Sequence, residues 1–276
     1  MIYLKSFELV DESSIINVPY PFDIFPLKQL DKLEFNNPVT IFYGSNGSGK
    51  TTLLNIIAEK LHLQRITLFN HSDSFEEYVS ACNSSKENPI PRVSMIITSD
   101  DVFNFMFNIR AFNQDINFNR KKLFDEYQSI KSMKRQDVIN MKVDSKSFDR
   151  NMAIISNSKS KFVQKNLVQS IQEHSNGETA LEYFVERINE NALYLLDEPE
   201  NSLSSKMQIQ LSKYIEDCAL GCNCQVLIAT HSPFFLSMQR SVVYDLDSLT
   251  VKTRKWTELE NVKIYREFFK QHEKDF

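Results

Sequence analysis

The chain has 276 residues, 42% of them hydrophobic and 25% charged, and its 21 Phe and 10 Tyr supply enough apolar area to exclude a disordered polypeptide. The length suits one large domain or a core with one sizeable insertion. A net charge of −4 gives no general affinity for nucleic acid, and neither a signal peptide nor an apolar run of about 18 residues is present, which points to a cytoplasmic chain without membrane insertion.

The first 45 residues read as short strands, YLKSFELV, LDKLEF and VTIFYG, around a loop holding Pro19, Pro21 and Pro26. From Thr51 to Leu61, Leu53, Leu54, Ile56, Ile57 and Leu61 recur at helical spacing. A loop-like stretch with Pro89 and Pro91 leads to SMIITS (94–99), a buried strand. Residues 102–173 hold no Pro or Gly and read mostly as helix. ALYLL (192–196) and CQVLIAT (224–230) are continuous apolar strands of the type a parallel sheet buries on both faces. Between them runs a helix with Met207, Leu211, Tyr214, Ile215 and Cys218 on one side, so the unit is βαβ and the fold class α/β. Two short strands near 241–256 and an amphipathic helix carrying Val262, Tyr265, Phe268 and Phe269 complete the chain. The expected division is a core of residues 1–101 and 172–276, with 102–171 as a basic, helical insertion. Cys82, Cys218, Cys222 and Cys224 lack paired metal-ligand spacing and read as reduced thiols.

Glycine is scarce, 5 residues where average usage gives roughly 19, so its placement is informative. Three glycines fall in Gly44-Ser45-Asn46-Gly47-Ser48-Gly49-Lys50-Thr51, which fits G-x-x-x-x-G-K-[ST] between a strand and a helix. Small residues let successive backbone N–H groups curl around phosphates, and the helix N-terminus adds free donors. Lys50 is then the group that bridges the β- and γ-phosphates, Thr51 the hydroxyl that holds Mg²⁺, and Thr52 continues the loop into the helix. Asp197-Glu198-Pro199 ends an apolar strand, where open α/β sheets bind ligands. Asp197 suits Mg²⁺ support and Glu198 suits polarising the attacking water. Thr230-His231-Ser232-Pro233 closes the next strand and offers His231 as a γ-phosphate contact. Ser175-Asn176-Gly177-Glu178 reads both as a capping box and, with its bare Gly177 backbone, as an anion-binding helix start. Gly221 reads as a helix stop.

In this order and spacing the four motifs resemble an ABC-type P-loop ATPase. The similarity is strongest to stand-alone predicted ATPases related to RecF and chromosome-maintenance heads. HSNGE resembles their Q-S-H-G-E signature, YLLDEPENSLS their Y-L-L-D-E-P-E-A-A-L-S, and IATHSP matches outright. The resemblance covers residues 1 to about 60 and 172–276. It implies an ABC-type core, a mixed sheet with an N-terminal antiparallel β part, and a head-to-tail homodimer that sandwiches ATP. Ser175 and the Gly177 N–H would reach the γ-phosphate in trans, and Asn201 to Ser204 would cross the dimer seam. The family's residue after the strand before the helical region corresponds to Asp100, a third candidate for Mg²⁺. Phe22 and Phe25 are candidates to stack on adenine.

Three uses of ATP hydrolysis compete. Between Arg120 and Lys165, 12 Lys and Arg face 5 acids, a local +7 that leaves −11 for the rest. Such a patch suits DNA or RNA phosphates and equally a solvated surface or an acidic partner. The other two are an ATP-dependent switch on an operon-encoded partner protein, as in toxin–antitoxin or defence systems, and the energy-coupling subunit of a transporter.

Overall fold

The computed structural model describes residues 1–10, 20–21, 30–69, 71–139, 141, 144–156, 176–189 and 191–276. It divides into two compact units, Met1–Asn104 with His174–Phe276 and Phe105–Glu173.

The first unit is a mixed α/β core with two sheets. The larger sheet is built from β3 (Val39–Tyr43), β5 (Met95–Thr98), β6 (Leu193–Asp197), β7 (Gln225–Thr230), β8 (Ser241–Asp245) and β9 (Lys252–Arg254), in the order β5-β6-β7-β3-β8-β9. Its first five strands are parallel and β9 closes the edge antiparallel to β8. Every residue of β3, β6 and β7 is buried, which is why these three read as unbroken apolar runs. Parallel pairing sends the strand ends the same way: Tyr43 lies opposite Thr230 and Asp197 opposite Ala229. The loops after β3, β6 and β7 therefore leave the sheet side by side.

The smaller sheet is antiparallel, β2-β1-β4, from β1 (Leu4–Glu8), β2 (Lys32–Glu34) and β4 (Asn83–Lys86). Between the sheets in the core cluster lies α1 (Lys50–Lys60), whose Thr52–Ala58 are all buried. A helix buried around most of its girth needs apolar residues on more than one face, and Leu53, Leu54, Ile56 and Ile57 supply them. Phe7, Leu33 and Phe35 from one sheet, and Leu195 and Leu227 from the other, share that cluster. The second unit holds most of α3 (Ser99–Ser132), then α4 (Arg135–Ile139) and α5 (Ser145–Ser156). Its core joins Leu123, Ile130, Val138 and Ile154. Arg150 grips Glu126 with two bonds of 2.6 and 2.7 Å.

The remaining helices of the first unit are α2 (Asp73–Ala81), α6 (Asn176–Arg187), α7 (Ser205–Gly221), α8 (Pro233–Leu236) and α9 (Glu260–Gln271). Four details depart from the expected elements. The region before Pro89 holds α2, capped by Ser72 and anchored by buried Phe75 and Tyr78, and the strand β4. β4 is the polar tetrapeptide NSSK, held by backbone pairing to β1, so no hydrophobic alternation marks it. α7 runs through Gly221, where a Cβ would meet open space. The residue in the left-handed region is Asn223, at φ 54°. Asn accepts that conformation better than most residues. On α9 only Val262 is buried, while Tyr265, Phe268 and Phe269 are exposed.

Two side chains tie the sheets together: Tyr244 on β8 bonds the Glu34 backbone on β2, and Gln225 makes the buried link. Gln225, fully buried at the start of β7, accepts the N–H groups of Tyr3 and Leu4 on Oε1, both at 2.8 Å. Its Nε2 donates to the Leu4 carbonyl at 2.9 Å. Gln225→Leu strands three buried backbone groups and is expected to lower stability by about 3–6 kcal/mol. Urea unfolding reads this directly, and a loss under about 1 kcal/mol contradicts the assignment.

Candidate functional site

The turn after β3 folds back on itself. A Cβ on Gly44 would lie 2.3 Å from Ser48 Oγ, and Gly47 and Gly49 sit at φ +82° and +96°. Only glycine meets the first demand and meets the other two without strain. The Ser48 hydroxyl, at the centre of the curl, is buried without a hydrogen-bond partner. A loop of bare amides closed around an orphaned hydroxyl, at the start of a helix, fits a phosphate group. From the flank, the Asp247 carboxylate accepts the Ser45 N–H and hydroxyl at 2.9 Å.

Lys50 is almost wholly buried, with Nζ donating to the carbonyls of Gly44 (2.8 Å) and Ser45 (3.1 Å). The same nitrogen lies 3.5 Å from Glu198 Oε1. Next along the helix the Thr51 hydroxyl donates to Asp197 Oδ1 at 3.0 Å. Burial pushes the Asp197 carboxyl up to about 6, reinforced by the charge of Glu198 and opposed by the Thr51 hydrogen bond. A hydroxyl and a carboxylate so placed form a hard oxygen donor set that suits Mg²⁺. Glu198 takes left-handed backbone angles, φ 47° and ψ 55°, an uncommon conformation for a residue with a side chain. Asn201 Nδ2 donates to its Oε2 at 3.0 Å. The structure thus brings Lys50, Thr51, Asp197 and Glu198 together from the ends of β3 and β6, the two strands that flank β7.

The other expected residues are placed differently. Thr52 is buried and its hydroxyl pairs with the Tyr20 hydroxyl at 2.8 Å. Asn46 is exposed on the loop. Asp100 is also exposed, on the first turn of α3, and the described contacts do not join it to the cluster. Its neighbour Asp101 turns inward instead, accepting the N–H groups of Thr67 and Thr98 at 2.8 Å and both threonine hydroxyls. Ser175, Phe22 and Phe25 lie outside the described residues. Gly177 is in α6, where a Cβ would stand 2.3 Å from Met207 Sδ and 3.9 Å from the Ser202 carbonyl. Within one chain its bareness lets α6 approach α7 and the turn at Pro199–Ser202.

A family model described as ABC transporter matches residues 32–201, more than half of the chain and inclusive of both the phosphate loop and the acidic pair. The chain belongs to the ABC ATPase family. A second model, described as AAA ATPase domain, matches residues 178–236 and takes in Asp197, Glu198 and His231. No curated protein matches in sequence. Among solved structures, similarity is found to a chain assigned as a metal-chelate type ABC transporter in an inward-facing conformation, at 16% identity, TM-score 0.42, over 95% of this chain and 89% of that one. It is also found to the Smc head domain of Pyrococcus furiosus with an extended coiled coil, bound to the C-terminal domain of ScpA, at 12% identity, TM-score 0.44, over 97% and 100%. This ABC protein is an ATP-binding ATPase, and among its described residues no helix is long and apolar enough to cross a membrane.

One residue of the ABC site escaped the sequence reading. Glu200, 7% exposed, accepts the Thr230 hydroxyl at 2.6 Å and the His231 N–H at 2.9 Å on Oε1. His231 Nδ1 stands 3.4 Å from the same oxygen. Glu200 therefore ties the turn after β6 to the turn after β7 through the His231 backbone and stands beside the imidazole. Thr230 and Ser232 extend the network to Gln208 on α7. The signal was present as a third acid in Asp-Glu-Pro-Glu, but an acid in a turn ordinarily faces solvent. Glu200→Ala leaves two buried donors without an acceptor and should cost about 3 kcal/mol of stability. The urea midpoint measures it, and a change below about 0.5 kcal/mol would show that the tie is dispensable.

Proposed function

We propose that this ABC ATPase is a Mg²⁺-dependent ATP hydrolase that works as a head-to-tail homodimer and engages nucleic acid. The observation that carries the hydrolase reading is the convergence of Lys50, Thr51, Asp197 and Glu198 at one sheet edge, linked by contacts of 3.0 and 3.5 Å. The amides of Gly44 to Thr51 bind the phosphates, and Lys50 turns its ammonium to them. Thr51 and Asp197 hold Mg²⁺, which supplies charge neutralisation at the phosphate oxygens when bound. Glu198, oriented by Asn201, takes the proton of the attacking water. His231 has Nδ1 turned to Glu200, so its opposite ring nitrogen is the one free to reach the γ-phosphate.

As the resemblance to ABC-type ATPases implies, Ser175 and the Gly177 N–H complete the site from the partner chain. Glu198→Gln removes the base while keeping the shape. It should therefore accumulate a dimer at saturating MgATP that disappears with ADP. Light scattering that finds a monomer in both nucleotides refutes the sandwich.

The +7 segment supports nucleic-acid binding. Lys121, Lys122, Lys134, Arg135 and Lys146 are exposed on the second unit, whereas Arg150 is held by Glu126 and Lys131 donates to the Ile155 carbonyl at 2.8 Å. Binding through these cations should shift DNA or RNA in a gel at about 50 mM salt and fade steeply by about 200 mM. Equal mobility with and without the ATP-loaded Glu198→Gln protein overturns this part and leaves the operon-encoded partner as the reading to test.

A further inference from the structure

Three of the four cysteines meet at one turn, away from the nucleotide site. Cys218 lies in the last turns of α7, Cys222 ends the helix and Cys224 immediately precedes β7. Both the Cys222 N–H (2.9 Å) and the Cys224 N–H (3.4 Å) reach the Cys218 carbonyl, so the chain folds back over that residue. The left-handed Asn223 between them makes the reversal possible. The Cys218 thiol and the Tyr214 hydroxyl both point to the Ile188 carbonyl, at 3.8 and 2.5 Å, and the Cys224 thiol points back to the Cys222 carbonyl at 3.6 Å. Cys218 and Cys224 are buried, at 3% and 0% exposure, whereas Cys222 is half-buried. All four cysteines are free thiols.

We propose that this turn is an oxidation site for hydrogen peroxide, with Cys222 as the entry thiol and Cys218 as the resolving thiol of an intramolecular disulfide. The Cys222 thiolate attacks one peroxide oxygen. The O–O bond breaks, water leaves, and Cys222 becomes a sulfenic acid. The Cys218 thiolate then attacks the Cys222 sulfur, forming the S–S bond and expelling the sulfenic oxygen as a second water. Cys224 exchanges onto Cys218 as a thiolate, returning Cys222 to its free form and leaving the disulfide between the two buried residues. In sum, two thiols lose two electrons and two protons, and one peroxide is reduced to two waters.

Two features favour Cys218 as the centre. Its carbonyl accepts the N–H groups of both others, and interactions with Cys224 first, then Tyr214 and Cys222, hold its thiol below the ordinary value against the opposing effect of burial. Cys82, by contrast, is pushed up to about 12 by burial and stands apart from the cluster, which makes it an internal control.

The test treats the native full-length protein with hydrogen peroxide, blocks remaining thiols, and digests with a protease that cleaves after Leu220, which separates Cys218 from the other two. The expected product is a linked peptide pair containing Cys218, about 2 Da lighter than its parts, with Cys82 still reduced. It should form at least about tenfold faster in folded protein than in urea, because the fold supplies the proximity. Cys222→Ala should keep the link but slow its formation by a similar factor. A link that forms equally fast in urea, a rate unaffected by Cys222→Ala, or sulfinic acid on Cys222 with no linked pair each overturns the proposal. The comparison of folded and unfolded wild-type protein stands even if a variant fails to fold.

Discussion

The parallel register of three buried strands is the constraint on which the rest depends. β3, β6 and β7 run the same way with Tyr43 beside Thr230 and Asp197 beside Ala229, so three loops far apart in sequence end within contact of each other. No loop by itself makes a site. The phosphate loop supplies amides and Lys50, the turn after β6 supplies three acids, and the turn after β7 supplies His231. A one-residue slip of β6 would turn Asp197 to the opposite face of the sheet and undo the Thr51 contact. The strands are buried on every residue because helices cover both faces, and that burial enforces the register.

Burial at the same edge also sets the electrostatics. Asp197 and Glu200 are carboxylates almost removed from water, and each is held by donors from a different element. The arrangement is costly to assemble, since desolvated charges are stabilised only where partners are well placed. Arg65, half-buried between Glu59 and the carboxylates of Asp101 and Asp197, belongs to the same field, and desolvation lowers its affinity for its proton against those charges.

How much of this was legible in the sequence follows from which residues announce themselves. VTIFY, LYLL and QVLIAT are apolar throughout because both faces are covered, so the central strands were readable. The polar edge strand β4 carries no such mark and exists through its backbone pairing. The resemblance placed the acid near the start of α3 at Asp100, whereas the one that turns inward is Asp101. The difference rests on which side chain points toward Thr67 and Thr98, a three-dimensional fact. Glu200 was hidden for the same reason. Gly177 stood out through the scarcity of glycine, and its neighbours within the chain are Met207 and Ser202, which no local pattern could disclose.

Lys50 and Glu198 form an ion pair within the site, 3.5 Å apart. Each group satisfies the other's charge, so neither needs a counterion or a strong water shell, and the carboxylate is held by the residue that substrate must recruit. On the proposed reading, a triphosphate would offer Lys50 a denser negative charge and release Glu198 from its pair, so that nucleotide binding and the freeing of the carboxylate become one event.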